Sequence, residues 1–251
     1  VPGGVNFTIH SHGATSCELL LFHRKETVPY ATIQFPSHYR IGHVYSMIIF
    51  GLDIEEFEYA YCLDGPYDEG KGLLFDKKKP LLDIYAKAVT GQSVWGTQNP
   101  EGSFYKARVV QDHFDWGKDC NPLVPMEDLV IYELHVRGFT RHASSGVSHP
   151  GTFSGIMEKI PYLKELGVNA VELMPIFEFD EMKDSREVDG KTLIDYWGYN
   201  PVSFFAPNTS YAAEIEYNRE GTELKELIRA LNQNGIECFL DVVFNHTAEG
   251  N

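Results

Sequence analysis

The most constraining stretch of the chain is Gly235-Ile236-Glu237-Cys238-Phe239-Leu240-Asp241-Val242-Val243-Phe244-Asn245-His246. Ile236 to Phe244 is an apolar run with β-branched and aromatic residues, opened by Gly and closed by polar residues. Such a run predicts a strand covered on both faces, as in a parallel sheet whose crossover helices lie on those faces. A core strand has no packing use for Asp241, Asn245 and His246, which sit inside and just beyond its carboxyl end. In barrels of alternating strands and helices, that end is where chemistry is done. Taken singly, each residue reads as a cap or a turn former. Taken together, the three favour a functional strand end.

The residues upstream repeat the pattern. Asp128 to His135 and Val168 to Met174 are two further apolar strands, the second ended by Pro175. Between them Phe153, Ile156, Met157, Ile160, Leu163 and Leu166 recur at helical spacing, and Gly167 supplies a stop. Pro161 falls within this segment, so a break or kink is expected there. A second helix carries Leu224, Leu227, Ile228 and Leu231 on one face and ends at Asn234-Gly235. The order strand, helix, strand, helix, strand implies parallel strands with right-handed crossovers. Both a (β/α)8 barrel and a doubly wound open sheet satisfy it.

The second strand and second helix are separated by a segment far longer than the usual 2–6 residues of such a connection. It opens with charged residues from Glu178 to Lys191 and then turns aromatic at Tyr196-Trp197-Gly198-Tyr199-Asn200-Pro201. Two readings of those aromatics stand side by side: a flat platform for a sugar ring, and a hydrophobic plug under a long loop.

Residues 1 to about 116 lack a helical period. They read as short strands at Val5–His10, Cys17–His23, Tyr30–Phe35, Val44–Gly51 and Phe57–Leu63, punctuated by turn residues. That spacing predicts an antiparallel β-sandwich. Phe57-Glu58-Tyr59-Ala60-Tyr61 alternates aromatic and other residues, as a half-buried strand does. Gly96 to Asn121 is rich in Gly, Asn, Asp and Pro and reads as a linker, which places a sandwich domain at 1–120 and the strand–helix domain at 121–251. Trp95 and Trp116 read either as sugar platforms or, preferably, as packing at the domain boundary.

A net charge of -15 argues against nucleic acid and against an anionic membrane surface, since both demand a basic face. No run approaches the roughly 18 apolar residues that span a bilayer. The four Cys (17, 62, 120, 238) form no C-x-x-C pair. Cys17, Cys62 and Cys238 lie in apolar runs, which favours free buried thiols and a reducing compartment. No signal peptide is visible, and the chain starts Val1-Pro2-Gly3-Gly4, so more sequence is expected upstream. A cytoplasmic location is the expectation. The form Asn245-His246-Thr247 is a glycosylation sequon, as are Asn6-Phe7-Thr8 and Asn208-Thr209-Ser210.

The motifs resemble one family over nearly the whole chain. Asp241-Val242-Val243-Phe244-Asn245-His246 resembles the third-strand signature of the α-amylase superfamily of glycoside hydrolases. Ile131-Tyr132-Glu133-Leu134-His135-Val136-Arg137-Gly138-Phe139-Thr140 and His149-Pro150-Gly151-Thr152-Phe153 are similar to isoamylases and glycogen-debranching enzymes. Val171-Glu172-Leu173-Met174-Pro175 is similar to the superfamily's second strand, and Trp197-Gly198-Tyr199 to its cutting subsite. Asp64-Gly65-Pro66-Tyr67 and Tyr85-Ala86-Lys87-Ala88 resemble the starch-binding-module-like sandwich that precedes the barrel, with Ile84 where Pro is usual.

The resemblance implies the first three βα units of a (β/α)8 barrel and retaining hydrolysis of α-1,6 branch points in glycogen or starch. Tyr199 would stack on the reacting glucose, and His246 would hydrogen-bond a hydroxyl of that sugar. Asp241 would orient neighbouring groups, and Asn245 would hold the loop after the strand. No metal or cofactor is assigned. The family's nucleophile, general acid and third Asp follow later strands, so none is expected in these 251 residues, and the chain alone is expected to be an inactive N-terminal piece. An α-glucan is the implied partner, with self-association expected through the open barrel edge. A pullulanase- or branching-type enzyme and a non-catalytic glucan-binding scaffold are the alternatives.

Overall fold

A computed structural model describes residues 1–91, 94–98, 103–111, 113–214, 217–246 and 248. The chain divides into two compact units, Val1–Thr90 with Pro100–Val110, and Gly91–Asn99 with Gln111–Asn251. The boundary expected after Cys120 is therefore displaced. The reason lies in tethers: Arg229 donates to the Asp115 carbonyl at 2.8 Å, and the Asn232 amide donates to the Asp119 carboxylate at 2.8 Å.

The first unit contains β1 (Gly4–His10), β2 (Ser16–His23), β3 (Ala31–Gln34), β4 (Arg40–Ile41), β5 (Val44–Phe50) and β6 (Phe57–Asp64). It continues with β7 (Tyr67–Asp68), β8 (Leu73–Leu74), β9 (Ala88–Thr90) and β10 (Lys106–Arg108). Among the described residues these form sheets of order β1-β5-β4 and β3-β2-β6-β10-β9, antiparallel throughout, beside the small β7-β8 hairpin. All five strands read from the sequence are present. β9 and β10 were not legible, because three residues are too short to display a period.

β6 departs from the half-buried expectation. Phe57, Tyr59 and Tyr61 pack one face with Phe7 and Phe35. The opposite face is covered too, with Ala60 and Cys62 against Leu20, Phe22 and Phe104. Glu58, on that face, is tied to Lys106 at 2.6 Å, a buried ion pair. Lying between β2 and β10, β6 has no open side, and only the pairing of its carboxylate lets Glu58 be buried.

The second unit starts at β11 (Ile131–Leu134) and α1 (Val136–Arg141), followed by α2 (Phe153–Met157), α3 (Ile160–Glu165) and β12 (Ala170–Leu173). An exposed hairpin of β13 (Arg186–Val188) and β14 (Lys191–Leu193) precedes α4 (Arg219–Gln233) and β15 (Glu237–Leu240). The helix predicted across Phe153–Leu166 is two helices. The Thr152 hydroxyl caps the first by accepting from the Gly155 N–H at 3.1 Å, and Pro161 sits in the opening turn of the second, where no N–H partner is lost. Gly167 and Gly235 close α3 and α4 with φ of 84° and 73°.

β11, β12 and β15 pair in parallel in that order, with Tyr132, Val171 and Cys238 in one register row and Glu133, Glu172 and Phe239 in the next. Leu134, Val171 and Leu173 meet Ile156, Leu163, Leu227 and Leu231 in the core. The expectation that all three strands are apolar and covered on both faces is corrected. β12 is central, but on the edge strands Ile131, Phe239 and Leu240 are 49%, 36% and 40% exposed. Glu133, Glu172 and Phe239 share one register row, in which Glu133 and Phe239 are exposed, which is why a carboxylate is tolerated there. Among the described residues no helix is long and apolar enough to cross a membrane.

Candidate functional site

The long segment after β12 is tied back by its own backbone. Glu178 donates to Ala206 O at 2.9 Å, Val202 to Glu178 O at 2.7 Å and Asp195 to Glu181 O at 2.9 Å. The aromatic stretch then divides its labour. Tyr196 stacks on His135 at 4.2 Å between centroids and 11° between planes, so it belongs to a plug. Trp95 packs into the same plug, stacked with Tyr211 at 5.9 Å and covered by the Arg137 guanidinium at 4.7 Å. Trp95 thus packs rather than serving as a platform, but against the second unit's own core and not, as expected, at the domain boundary. Trp197 is 56% exposed, and Trp116 is edge-on to Phe114 at 4.7 Å.

His135 connects β11 to that loop. Its Nδ1 accepts from the Gly138 N–H at 3.1 Å, so Nε2 carries the proton and donates to the Tyr196 carbonyl at 2.6 Å. Burial pushes its pKa down, which keeps the ring neutral and this tautomer in place.

Gly198, with φ of 78°, lets the chain turn over the Phe179 ring and delivers Tyr199 to the strand ends. There the Tyr199 hydroxyl donates to Asp241 Oδ2 at 2.5 Å. This bond to Asp241, then burial, then the charges of Asp241, Glu133 and Glu172 push the phenol up to about 12. Tyr199 thus stays a donor at neutral pH. Beyond β15, Asn245 Oδ1 accepts from His246 Nδ1 at 2.8 Å, which leaves Nε2 of the exposed imidazole for a ligand. The four residues predicted from the sequence arrive as two hydrogen-bonded pairs, Tyr199–Asp241 and Asn245–His246.

Glu133 and Glu172 were missed by the sequence reading. They share a register row on adjacent strands and set the negative field around the phenol. Their signal was present as a Glu-Leu step repeated inside two apolar strands, Tyr132-Glu133-Leu134 and Val171-Glu172-Leu173. Among the described residues no group of three His, Cys, Asp or Glu side chains is arranged to hold a metal ion.

The family description "Alpha amylase, catalytic domain" matches residues 131–251. "Carbohydrate-binding module 48 (Isoamylase N-terminal domain)" matches residues 1–86. Residues 131–251 are thus similar to the catalytic domain of the α-amylase superfamily, and residues 1–86 to the module that precedes it in isoamylases. Its relatives include Isoamylase 1, chloroplastic, of Arabidopsis thaliana, 38% identical over 99% of this chain and 33% of that protein. A glycogen debranching enzyme of Serratia proteamaculans is 33% identical over 98% of this chain and 38% of that protein. Among solved structures, pullulanase type I of Bacillus subtilis, complexed with maltose, superposes with a TM-score of 0.71 at 30% identity, over 99% of this chain and 33% of that one. The chain thus spans about a third of the length of these α-amylase superfamily relatives.

The loop after β12 also carries two buried carboxyl groups, Glu178 and Glu181. Burial pushes Glu178 up to about 8 and Glu181 up to about 7. The Thr209 N–H donates to Glu178 Oε2 at 2.8 Å and opposes the shift, while the charges of Glu181 and Glu220 add to it. Both folded values lie above the unfolded 4.5, so the fold favours the protonated acids. Their contribution is complete below about pH 4.5 and is lost as pH rises through 7 and 8. Each proton released costs at most about 1.4 kcal/mol per pH unit. Glu178→Gln keeps the Thr209 bond and removes the charge. It should raise stability at pH 8 by about 1–2 kcal/mol, after the cost of a buried amide NH₂, and give no gain at pH 5. Thermal melts of both proteins at the two pH values check this; an equal effect at both refutes it.

Proposed function

We propose that the protein carrying this chain hydrolyses α-1,6-glucosidic branch linkages of glycogen or starch with retention of configuration. The observation that carries the reading is the donation from Tyr199 to Asp241 at the carboxyl ends of parallel strands, on a chain matched end to end by an isoamylase. Tyr199 supplies a ring face for the glucose being cut, and its hydroxyl holds Asp241 in one orientation. Asn245 fixes the His246 imidazole, whose Nε2 meets a sugar hydroxyl. Retention requires a carboxylate that attacks the anomeric carbon and a carboxylic acid that protonates the departing oxygen, after which water releases the sugar. Neither role falls to Asp241, which accepts from the Tyr199 hydroxyl, or to Glu133 and Glu172, whose charges act on that phenol.

A pullulanase-type enzyme is the second reading, favoured by the likeness to the Bacillus subtilis pullulanase. The release of reducing ends from glycogen and from pullulan by the full-length protein separates the two. Release from neither substrate overturns both.

The open face of β15 motivates a proposed partner, a second copy of the chain. Phe239 and Leu240 are 36% and 40% exposed on the edge strand β15, and Val242 and Phe244, 37% and 75% exposed, follow it. Light scattering behind size exclusion should show the 251-residue chain associating; a monomer at all concentrations refutes this.

The proposed location is a reducing compartment such as the cytoplasm. All four Cys are free, and burial pushes the Cys17 and Cys238 thiols up to about 12, out of reach of oxidation as thiolates. A glycan on Asn245 would cover the His246 ring; Thr247 of that sequon lies outside the described residues. Intact mass of the native protein should show neither glycan nor disulfide, and either one overturns the proposal.

A further inference from the structure

β1 ends at a corner of the first unit where three imidazoles and a guanidinium gather. The Ser11 N–H donates to the His43 carbonyl at 2.8 Å, which carries the β1–β5 pairing on into the β4–β5 turn. Ser11 is buried, so strand alternation turns its neighbours His10 and His12 outward. Gly42, with φ of 61°, makes the turn that brings His43 to them. The His43 ring lies 4.4 Å from His12 and 6.0 Å from His10 between centroids, and all three residues are exposed. The Arg40 guanidinium is held beside the turn by donation to the Gly42 carbonyl at 2.9 Å and the Ala14 carbonyl at 3.1 Å. In a chain of net charge -15, this corner stands out. Among the described residues no carboxylate forms an ion pair with any of the four. Partial loss of hydration, then the charges of His12, Arg40 and His10, push the His43 pKa down. Tyr45, under the guanidinium at 5.1 Å, commits its hydroxyl to the Ala14 carbonyl at 2.8 Å. His38, just before β4, packs edge-on against Tyr39.

We propose that this corner binds a phosphoryl group, carried by a phosphate monoester or by free phosphate. Imidazole and guanidinium N–H groups can donate to several oxygens of one tetrahedral anion, and the anion offsets their mutual repulsion. A phosphate monoester loses its second proton at about pH 6, close to the imidazole value of about 6.5. Binding is therefore strongest where the rings still take up protons and the phosphoryl group is already becoming a dianion. It weakens as pH rises and the rings become neutral, which leaves only the Arg40 charge. A divalent cation is disfavoured. The guanidinium repels it, and among the described residues no three His, Cys, Asp or Glu side chains are arranged to hold one. The debranching reading does not enter, since the corner uses neither Tyr199 nor His246.

The test is titration of the 251-residue chain at pH 6 and pH 8 with inorganic phosphate, glucose 6-phosphate and glucose, read by calorimetry and by the imidazole C–H signals in NMR. Phosphate should saturate the corner at about millimolar concentration at pH 6 and raise the His43 pKa. At pH 8 it should bind about 10-fold more weakly. Tighter binding of glucose 6-phosphate than of inorganic phosphate identifies an ester as the ligand, and equal affinity identifies free phosphate. Glucose should leave the three rings unmoved. His12→Ala and His43→Ala should each weaken phosphate binding about 10-fold, the scale of one charge-assisted hydrogen bond, with the melting temperature unchanged because both residues are exposed. His246→Ala should bind phosphate as the wild type does. No saturable binding, equal affinity at the two pH values, or full affinity in both the His12 and His43 variants overturns the proposal. So does zinc ion saturating the same rings at about micromolar concentration while phosphate leaves them unmoved.

Discussion

In the full-length protein, Tyr199→Ala and His246→Ala each lower kcat/KM on a branched glucan by about 10–150-fold, with the melting temperature close to wild type. For His246 the magnitude follows from losing a hydrogen bond to the sugar that strengthens as charge develops in the transition state, about 1.5–3 kcal/mol, and for Tyr199 from losing the stacking face together with the hydroxyl that holds Asp241. Stability is spared because His246 is exposed and Tyr199 only half-buried. Tyr199→Phe separates the ring from the hydroxyl. It retains stacking but frees Asp241, so it should fall between wild type and Tyr199→Ala. Unchanged activity in the Ala variants shows that the subsite is misplaced. Joint collapse of activity and melting temperature shows that the residues are structural.

Gly198→Ala is expected to destabilise the second unit by roughly 2–5 kcal/mol and to depress activity with it. A Cβ there lies 2.8 Å from the Phe179 ring, and Phe179 is wholly buried, so it has nowhere to move. Overpacking of this kind costs about 1–3 kcal/mol, and an L side chain at φ of 78° about 1–2 more. Because Tyr199 follows directly, relief of the clash displaces the phenol from Asp241. Denaturant unfolding and debranching assays on the same variant check both effects. A stability within 0.5 kcal/mol of wild type, the range of an ordinary surface change of about that size, refutes the close approach.

The strand ends of the second unit were legible because their signals are local. An apolar run, a Gly stop, a Pro within a helical period and an Asp-to-His motif are each complete within a few residues, and each corresponds to an element or a pair in the fold. β6 shows where local reading stops. Its alternation of aromatics is real, yet Glu58 and Ala60 are buried too, because β10 supplies Lys106 from far along the chain.

The same distinction runs through the site. Residue type and order were enough to single out Asp241, Asn245 and His246, since a buried strand does not spend polar residues without cause, whereas Tyr199 came only from the resemblance of Trp197-Gly198-Tyr199 to the cutting subsite. Their division into two hydrogen-bonded pairs was not readable. Nor was the assignment of Tyr196 to the plug and Tyr199 to the strand end, which depends on the left-handed turn at Gly198 over Phe179. In the sequence Glu178 and Glu181 are only members of a charged stretch. Their burial follows from the loop folding back on itself through the backbone bonds at Ala206, Val202 and Asp195. Periodicity and punctuation report what a residue does to its own segment. Charge state, tautomer and pairing report what distant segments do to a residue, and those exist only once the chain has closed on itself.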